Sequence, residues 1–514
     1  MERRWGNNGR HPSASTGDLV GILLLAAGML AFGWLGFLAS DDALYARTAE
    51  RWLELGPNLG TSLHALRLPV VLPIAASFAF FGVSEFSLVL PTTVFFAALV
   101  IVTYCFLATF DRTAALAAAI LLVTCPLFAV TATMASADIA ELLFVASSIW
   151  LFHRASDNRG RSVALFAAGV AAGIAFITRE TTGFLVVYYA LLFLVGYRFP
   201  RRRYWILAAG LAAVAGSEVI LLALAAGDPL YRFRIDVHLG RLPSVEGTGN
   251  LEIHPIVDPF LAILLNQEFA LLFFAALPLG CWIILDRRIP DRMRTIAGLL
   301  GGLGALWFVG VGYGPLVEKL PRYFSVTAYA AVVVVALWLA SVGRHMPRAA
   351  LFVGTGLVLS NLLGIYLENR DPLFGERRLA ERVAQESEPV YTDPESARRA
   401  TFFLMRDGLV GRVRGEPPPA GSLYFYNSKR AAEGPKAPEP FDTSIYTPQA
   451  AWVAVWRAEP ARKLSGYIAE ALGLGHILPA SIFLKLTEPN PTVVLYRTAD
   501  SDSDAPSGTT TSNH

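Results

Sequence analysis

Charged residues that could carry out a group-transfer reaction lie at the ends of apolar segments of this sequence. With one neighbouring tyrosine, they lie in separate stretches of the chain: Asp41, Asp42, Asp138, Arg179, Glu180, Arg322 and Tyr323. A carboxylate can accept a proton in the transition state, and a guanidinium can stabilise an anion that leaves. Ionised groups beside apolar segments are costly and usually have a function. The mixture predicts a reaction with one acid–base group and one anionic leaving group.

The composition indicates a membrane protein with many spans. Of the 514 residues, 54% are hydrophobic and only 16% are charged, whereas soluble domains carry about 25% charged residues. The net charge is only +2, and the sequence has no nucleic-acid-binding motif, so nucleic acid is not an expected partner. The lipid bilayer is the expected surrounding.

The apolar segments predict about eleven transmembrane helices, because a span needs roughly 20 mainly apolar residues. The segments are 19–39, 87–108, 114–132, 139–153, 163–178, 182–197, 204–226, 259–285, 295–314, 324–342 and 349–367. Arginine clusters follow alternate spans, and eleven crossings place all of them on the cytoplasmic side. A twelfth crossing by 69–83 would break this pattern, so we expect that segment to be a short helix at the outer surface. The N-terminus is then cytoplasmic and the C-terminus outside.

This topology divides the chain into four parts. Residues 1–18 form a cytoplasmic N-terminal segment, and 19–367 form an all-α polytopic transmembrane domain with juxtamembrane helices in its first outer loop. Residues 368–500 alternate strand-like and helix-like runs and predict a small extracytoplasmic α/β domain. Residues 501–514 read as a disordered tail.

The first juxtamembrane helix is expected over 42–55, where the apolar residues share one helical face. Such a helix lies in the membrane interface, with Tyr45 and Trp52 at headgroup level. Successive helical residues point about 100° apart, so Asp41 and Asp42 are expected to have different roles. One would face a cavity, and the other would cap the helix start.

Each candidate also has a structural explanation. Asp138 could simply begin a helix, and Arg179 and Glu180 could form a local ion pair. Arg322 and Tyr323 could be interfacial anchors.

Other charged residues are less informative. Glu218, inside the span 204–226, could pair with an arginine or mark a cavity. The long loop 227–258 contributes Arg232, Arg234, His238, Arg241 and His254, and Lys319 precedes Arg322. No HExxH motif or cysteine cluster indicates a metal site.

Three stretches resemble the membrane-embedded GT-C glycosyltransferases, in particular the branch of protein O-mannosyltransferases, lipid A aminoarabinose transferases and Rgt-type enzymes. They are "DDALYARTAERWLELG", "HALRLPVVLPIAASFAFFGVSEFSLVLP" and "CPLFAVTATMASADIAELLF". The resemblance covers roughly residues 19–200. This chain departs from the family in three places. Family members often have Asp-Glu where this chain has Asp41-Asp42, and many have Lys where it has Arg179. Many also have Lys-Pro-Pro before the juxtamembrane helix, where this chain has "HALRLP" with His64 and Arg67. These differences bear on the donor and acceptor more than on the reaction type.

The resemblance implies an inverting glycosyltransferase in the plasma membrane, acting on its outer face. The donor would be a polyprenyl-phosphate sugar, and the acceptor an envelope lipid, glycan or protein. Asp41 would be the general base, and Asp42 and Asp138 would position the acceptor or a divalent cation, the only cofactor that this reading leaves open. The substrate-binding residues would be Tyr45, His64, Arg67, Arg179, Glu180, Arg322 and Tyr323.

Two other classes of protein stay open from the sequence. A transporter or flippase of lipid-linked sugars could use the same arginines, but would usually show internal repeats and broken helices. A non-catalytic envelope-assembly protein could use its outer domain for binding partners.

Overall fold

A computed structural model gives the three-dimensional structure of the chain. It describes residues 15–56, 60, 62–156, 161–239, 256–314, 320–368, 371–433, 443–458, 464–478, 480–487 and 490–499. The chain divides into two compact units, the first formed by 1–81 and 86–370 and the second by 82–85 and 371–514. The predicted N-terminal segment 1–18, except 15–18, and the predicted tail 501–514 lie outside the described residues, as do Arg241, His254 and Lys319.

The first unit is built from helices packed around one extended apolar core. In chain order they are α1 (Thr16–Phe32), α2 (Asp41–Leu55), α3 (Leu68–Phe81), α4 (Glu85–Ala108), α5 (Arg112–Thr124), α6 (Pro126–Thr131), α7 (Ala137–Arg154), α8 (Arg161–Thr178), α9 (Gly183–Val195), α10 (Arg201–Ala226), α11 (Tyr231–Leu239), α12 (Asp258–Leu264), α13 (Leu272–Leu285), α14 (Asp291–Tyr313), α15 (Ser325–Gly343) and α16 (Pro347–Glu368). Three short 3-10 turns lie between them, at Leu63–Leu66, Glu180–Thr182 and Pro321–Phe324.

Within the described residues, five helices are long and apolar enough to cross a membrane. They are α4, α10, α14, α16, and α15 together with the 3-10 turn before it, and each overlaps a predicted span. Six shorter apolar helices include α1 and α3. The membrane character is therefore confirmed, while the count of eleven spans and the outer placement of 69–83 stay predictions.

The first apolar stretch is not a helix throughout, which corrects the predicted span 19–39. Helix α1 ends at Phe32, and non-helical backbone continues to Ser40. Thr133 replaces the lost helical bonds, because its hydroxyl accepts from the Leu35 amide at 3.1 Å and its carbonyl accepts from the Gly36 amide at 2.9 Å. Non-helical backbone among apolar elements requires such partners. This segment carries the chain directly to Asp41.

Two other predicted spans are interrupted. The segment 114–132 breaks between α5 and α6, where Pro126 has no amide to continue the helix, and the segment 259–285 breaks between α12 and α13. At the first break the Leu127 amide donates to the carbonyl of Glu268, 2.9 Å away. The two interruptions therefore support each other through a backbone hydrogen bond.

Helices α8 and α10 pack against each other through glycines. A Cβ atom on Gly169 would lie 1.9 Å from the Leu207 carbonyl oxygen, and one on Gly210 would lie 2.2 Å from that of Phe166. No side chain fits at either position, so the two backbones approach closely. This contact brings Glu218 of α10 near the end of α8, where Arg179 follows.

The second unit contains a mixed five-stranded sheet of order β2-β1-β3-β5-β4. The strands are β1 (Val390–Thr392), β2 (Val413–Arg414), β3 (Leu423–Asn427), β4 (Val453–Ala458) and β5 (Val493–Arg497), with helices α17 (Phe374–Gln385), α18 (Pro394–Met405), α19 (Ser428–Glu433), α20 (Leu464–Ala471) and α21 (Ala480–Thr487). Strand β1 runs parallel to β2 and β3, while β5 is antiparallel to β3 and β4. These strands and helices agree with the alternating strand-like and helix-like runs predicted for 368–500. The domain boundaries and the extracytoplasmic location stay predictions.

Candidate active site

A cavity in the first unit collects residues from separate parts of the chain. There are five such parts: the start of α2, the residue that follows the 3-10 turn Leu63–Leu66, the start of α7, the turn before α9 and the turn before α15. Its lining consists of Leu38, Ser40, Asp41, Asp42, Tyr45, Arg67, Met134, Ala135, Ser136, Ala137, Asp138, Arg179 and Arg322. Seven of the ten predicted site residues thus line one cavity, and the other three, His64, Glu180 and Tyr323, contact those seven.

Asp41 has a cationic or imidazole partner at each carboxylate oxygen. Its Oδ2 lies 2.9 Å from Nη1 of Arg322, and its Oδ1 lies 3.5 Å from Nε2 of His64. Burial by itself raises the pKa of a carboxyl group. Here the hydrogen bond from His64 and the charges of Arg322 and Arg67 outweigh burial and hold the pKa of Asp41 well below its usual range. Asp41 is therefore ionised in this arrangement.

Asp42 has backbone partners instead. It accepts hydrogen bonds from the amides of Leu38 at 2.5 Å, Ser40 at 2.7 Å and Ala43 at 3.0 Å. Only 3% of the surface of Asp42 is exposed. This burial raises the pKa of its carboxyl group, although the hydrogen bonds from the backbone amides oppose the increase. Asp42 thus organises the turn that leads into α2.

Asp138 and Arg179, both in the lining of the cavity, form an ion pair with each other, and both side chains are largely buried. Ser136 caps α7: its hydroxyl accepts from the Asp138 amide at 3.1 Å and donates to Asp138 Oδ2 at 2.5 Å. The Tyr323 ring lies 4.1 Å from the Arg179 guanidinium and 5.8 Å from that of Arg322. Such contacts between a cation and an aromatic face are attractive, so the Tyr323 ring interacts favourably with both guanidiniums.

Tyr45 is an interior residue, which corrects its predicted position at headgroup level. It is 1% exposed, and its hydroxyl accepts a hydrogen bond from Arg67 Nη1 at 2.8 Å. Its ring meets the His64 ring edge-on at 5.4 Å. Arg67 is also buried, and its Nη2 lies 3.6 Å from Glu180 Oε2. Tyr45 and Arg67 therefore hold the 3-10 turn that carries His64 against α2.

Arg232, on α11, binds two further carboxylates, those of Glu180 and Glu218. Its guanidinium pairs with Glu180 and donates through Nε to Glu218 Oε1 at 3.0 Å. It also donates to the carbonyls of Leu66 at 3.1 Å and Ile177 at 2.6 Å. The intramembrane Glu218 is therefore paired with an arginine, one of the two alternatives that the sequence left open.

The described residues do not favour a metal site at this position. No group of three or more His, Cys, Asp or Glu side chains in the described ranges could hold an ion. The three cavity aspartates are occupied by Arg322, by backbone amides and by Arg179, respectively. The geometry therefore provides no set of converging free carboxylates for the divalent cation that the sequence left open.

Comparisons with known proteins identify the fold. Residues 69–224 match the family model of dolichyl-phosphate-mannose-protein mannosyltransferases. The structure of ArnT from Cupriavidus metallidurans bound to undecaprenyl phosphate superposes with a TM-score of 0.52 at 16% identity, covering 85% of this chain and 100% of that one. The apo form of ArnT superposes with a TM-score of 0.52 at 15% identity, and the same shares of the two chains are covered. Comparison with curated protein sequences gives no match.

The chain has the fold of the GT-C glycosyltransferase superfamily. The resemblance inferred from the sequence is thereby confirmed. Within this GT-C fold, the candidate site residues stay assignments made from the sequence and the geometry of this chain.

Two residues close to the site were not found from the sequence. Glu141, on α7, is buried and accepts hydrogen bonds from the hydroxyls of Thr181 at 2.6 Å and Thr182 at 2.8 Å. The sequence signal for Glu141 is its position one helical turn after Asp138, which places the two carboxylates on the same face of α7. Ser136 is the other such residue, and its position before "ADIAELL" is typical of a helix cap.

Proposed function

We propose that this protein is an integral-membrane glycosyltransferase that moves a sugar from a polyprenyl-phosphate donor to a hydroxyl group of an envelope lipid, glycan or protein. One observation carries the proposal: the Asp41 carboxylate faces a cavity that three guanidiniums, those of Arg67, Arg179 and Arg322, also line. A base and a set of anion-binding cations are what transfer from a phosphate leaving group requires.

Asp41 is the general base in this reaction. Its side chain is 32% exposed, whereas that of Asp138 is 7% exposed and Asp42 is enclosed by amides, so Asp41 is the most accessible of the three cavity aspartates to an acceptor. Asp41 takes the proton from the acceptor hydroxyl as that oxygen attacks the anomeric carbon. The bond from this carbon to the phosphate oxygen breaks, the electron pair leaves with the phosphate, and one displacement inverts the configuration.

The arginines stabilise the negative charge that remains on the phosphate. A guanidinium matches two phosphate oxygens with parallel N–H donors. Arg322 is the most exposed of the three, and both Arg322 and Arg179 contact the Tyr323 ring. ArnT, which has a similar fold, was solved with undecaprenyl phosphate, and this supports a lipid phosphate as the donor's leaving group.

The donor also supports a site on the outer face of the plasma membrane. Nucleotide sugars stay in the cytoplasm, whereas a lipid-linked sugar can be presented across the bilayer. With the arginine clusters on the cytoplasmic side, the turns that carry Asp41, Arg179 and Arg322 are on the opposite side. The C-terminal unit with its small sheet is then extracytoplasmic as well.

A transfer assay with purified protein tests this function. Polyprenyl-phosphate sugars that carry labelled hexoses or pentoses are presented with envelope lipid, glycan and protein acceptors. We expect one combination to give product, and we expect Asp41→Asn to lower turnover on the order of 10²-fold or more. Glu54→Gln is the matched control, because Glu54 is an exposed carboxylate on the same helix and its loss leaves the cavity intact.

Two outcomes would contradict the proposal. If Asp41→Asn turns over at the wild-type rate, Asp41 is not the base. If no donor gives product but the protein moves a lipid-linked sugar between the leaflets of a vesicle, it is a transporter.

A further inference from the structure

Asp41 and Arg322 are paired with each other in this structure, although the proposed function gives them separate tasks. Asp41 must receive a proton from the acceptor, and Arg322 must bind the donor phosphate. Yet Oδ2 of Asp41 lies 2.9 Å from Nη1 of Arg322. A carboxylate held by a guanidinium is a weakened base, and a guanidinium held by a carboxylate has lost part of its attraction for an anion.

We propose that Arg322 is a cation shared in turn by Asp41 and the donor phosphate, so that donor binding releases the catalytic base. While Arg322 is paired with Asp41, the ion pair keeps Asp41 from acting as the base. When the donor enters, its phosphate takes the guanidinium, and Asp41 becomes free to accept the acceptor proton. This inference rests on the proposed function and adds an order of events to it: donor first, proton transfer second.

Exposure distinguishes Arg322 from the other two guanidiniums of the cavity. The Arg322 side chain is 30% exposed, against 10% for Arg67 and 4% for Arg179. A partly exposed ion pair contributes little stability and can exchange partners at small cost, whereas a buried pair cannot lose one member without a large penalty. Arg322 is therefore the cation of this cavity that is able to change partners.

Arg322 also has unused hydrogen-bonding capacity. Within the described part of the chain, its Nε has no hydrogen-bond partner. A phosphate offers several acceptor oxygens and can bind Nε and a terminal nitrogen of one guanidinium together. A phosphate that reaches both nitrogens gives Arg322 one more hydrogen bond than its contact with Asp41 does, and this difference favours the exchange.

Release of Asp41 has a consequence for its basicity. Burial pushes the pKa of Asp41 upward, and the Arg322 charge is among the influences that hold it down. Once the phosphate neutralises Arg322, that influence weakens, and the carboxylate becomes a stronger base in the complex where one is needed. Without a bound donor the acceptor is not deprotonated.

A double-mutant cycle on binding tests the shared cation, with undecaprenyl phosphate as the probe. Its dissociation constant is measured for wild type, Asp41→Asn, Arg322→Gln and the double variant, with thermal unfolding recorded for each. We expect Asp41→Asn to bind the probe roughly threefold to tenfold more tightly than wild type, since the competing partner is gone. In the Arg322→Gln background, the same substitution should have no such effect. Asp41→Ser repeats the cycle if Asp41→Asn unfolds.

Each result decides between explanations. Equal tightening in both backgrounds would mean that Asp41 merely repels the phosphate, and it would overturn the shared cation. Unchanged or weaker binding by Asp41→Asn would overturn it as well. Both results leave the transferase proposal intact, because the wild type still binds the probe. If the wild type does not bind undecaprenyl phosphate, the proposed function fails together with this inference.

Discussion

Arg232 and Glu218 form a buried ion pair in which Nε of the arginine lies 3.0 Å from Oε1 of the glutamate. The arginine is on α11 and the glutamate is inside the apolar helix α10. The same guanidinium reaches Glu180 and two backbone carbonyls beside the candidate site. This one side chain therefore ties α10 and α11 to the turns that carry Arg67 and Arg179.

Arg232→Met should destabilise the protein strongly. It leaves Glu218 without its cation and removes one of the two arginines that pair with Glu180, and breaking a buried pair in this way costs about 3–5 kcal/mol. Arg234→Met is the control, because Arg234 pairs with Asp228 at 2.8 Å but its side chain is 73% exposed. That loss should cost at most about 1 kcal/mol. Thermal unfolding in detergent measures both, and equal shifts for the two variants would contradict a structural role for Arg232.

Asp42→Asn should lower stability more than turnover. The side-chain nitrogen of the new asparagine cannot accept a hydrogen bond, so one of the backbone N–H groups that now donate to the Asp42 carboxylate loses its partner. An unsatisfied buried donor costs about 1–3 kcal/mol. Turnover per folded molecule should stay within about tenfold of wild type, well above that of Asp41→Asn. Unfolding and single-substrate kinetics on the same preparation separate the two effects. A stable but inactive Asp42→Asn, with an active Asp41→Asn, would show that the roles are reversed.

His64→Gln should move the acid limb of kcat/KM to higher pH. Asp41 acts as a carboxylate, so activity falls as the pH drops through its pKa. Burial raises that pKa and the hydrogen bond from His64 lowers it, so removing His64 leaves burial less opposed and the pKa rises. His345→Gln, which removes an exposed imidazole, should leave the limb in place. Loss of activity at every pH would instead make His64 the base.

Cysteine labelling in intact cells should establish the orientation. In a variant without the native cysteines, Asp407→Cys should react with a membrane-impermeant maleimide. Arg202→Cys should react only after permeabilisation, because Arg202 lies in the first turn of α10, in one of the arginine clusters predicted to be cytoplasmic. Both positions are exposed in the structure, so burial does not limit the reaction. The opposite pattern would place the candidate site in the cytoplasm.

Pairing of the charged residues could not be read from their order in the chain. Arg179 and Glu180 are neighbours, and a local ion pair was one expectation. In the structure Arg179 pairs with Asp138, while Glu180 pairs with Arg67 and Arg232. The backbone of Arg179 is extended and Glu180 begins a 3-10 turn, so the two side chains reach different partners.

The limits of the first helix could not be read from hydrophobicity either. The segment 19–39 is apolar throughout, and hydropathy does not distinguish a helix from buried extended backbone. The hydroxyl and carbonyl of Thr133 stabilise the extended backbone, because they accept hydrogen bonds from the amides that follow the end of the helix. Thr133 is about a hundred residues away in sequence, so only the folded chain brings it there. Tyr45 became an interior residue for the same reason, since its partner Arg67 lies beyond the helix that carries Tyr45.

By itself, the sequence determined the apolar segments, the superfamily resemblance and the set of charged residues that meet in the cavity. These follow from local composition and order, because a long apolar segment must be buried and its flanking charges collect at its ends. The tertiary structure alone decided which carboxylate faces which cation. Ion pairing depends on distances of a few ångströms between residues far apart in the chain. That is why Asp41 proved to be held by Arg322 while Asp42, its neighbour, is held by backbone amides.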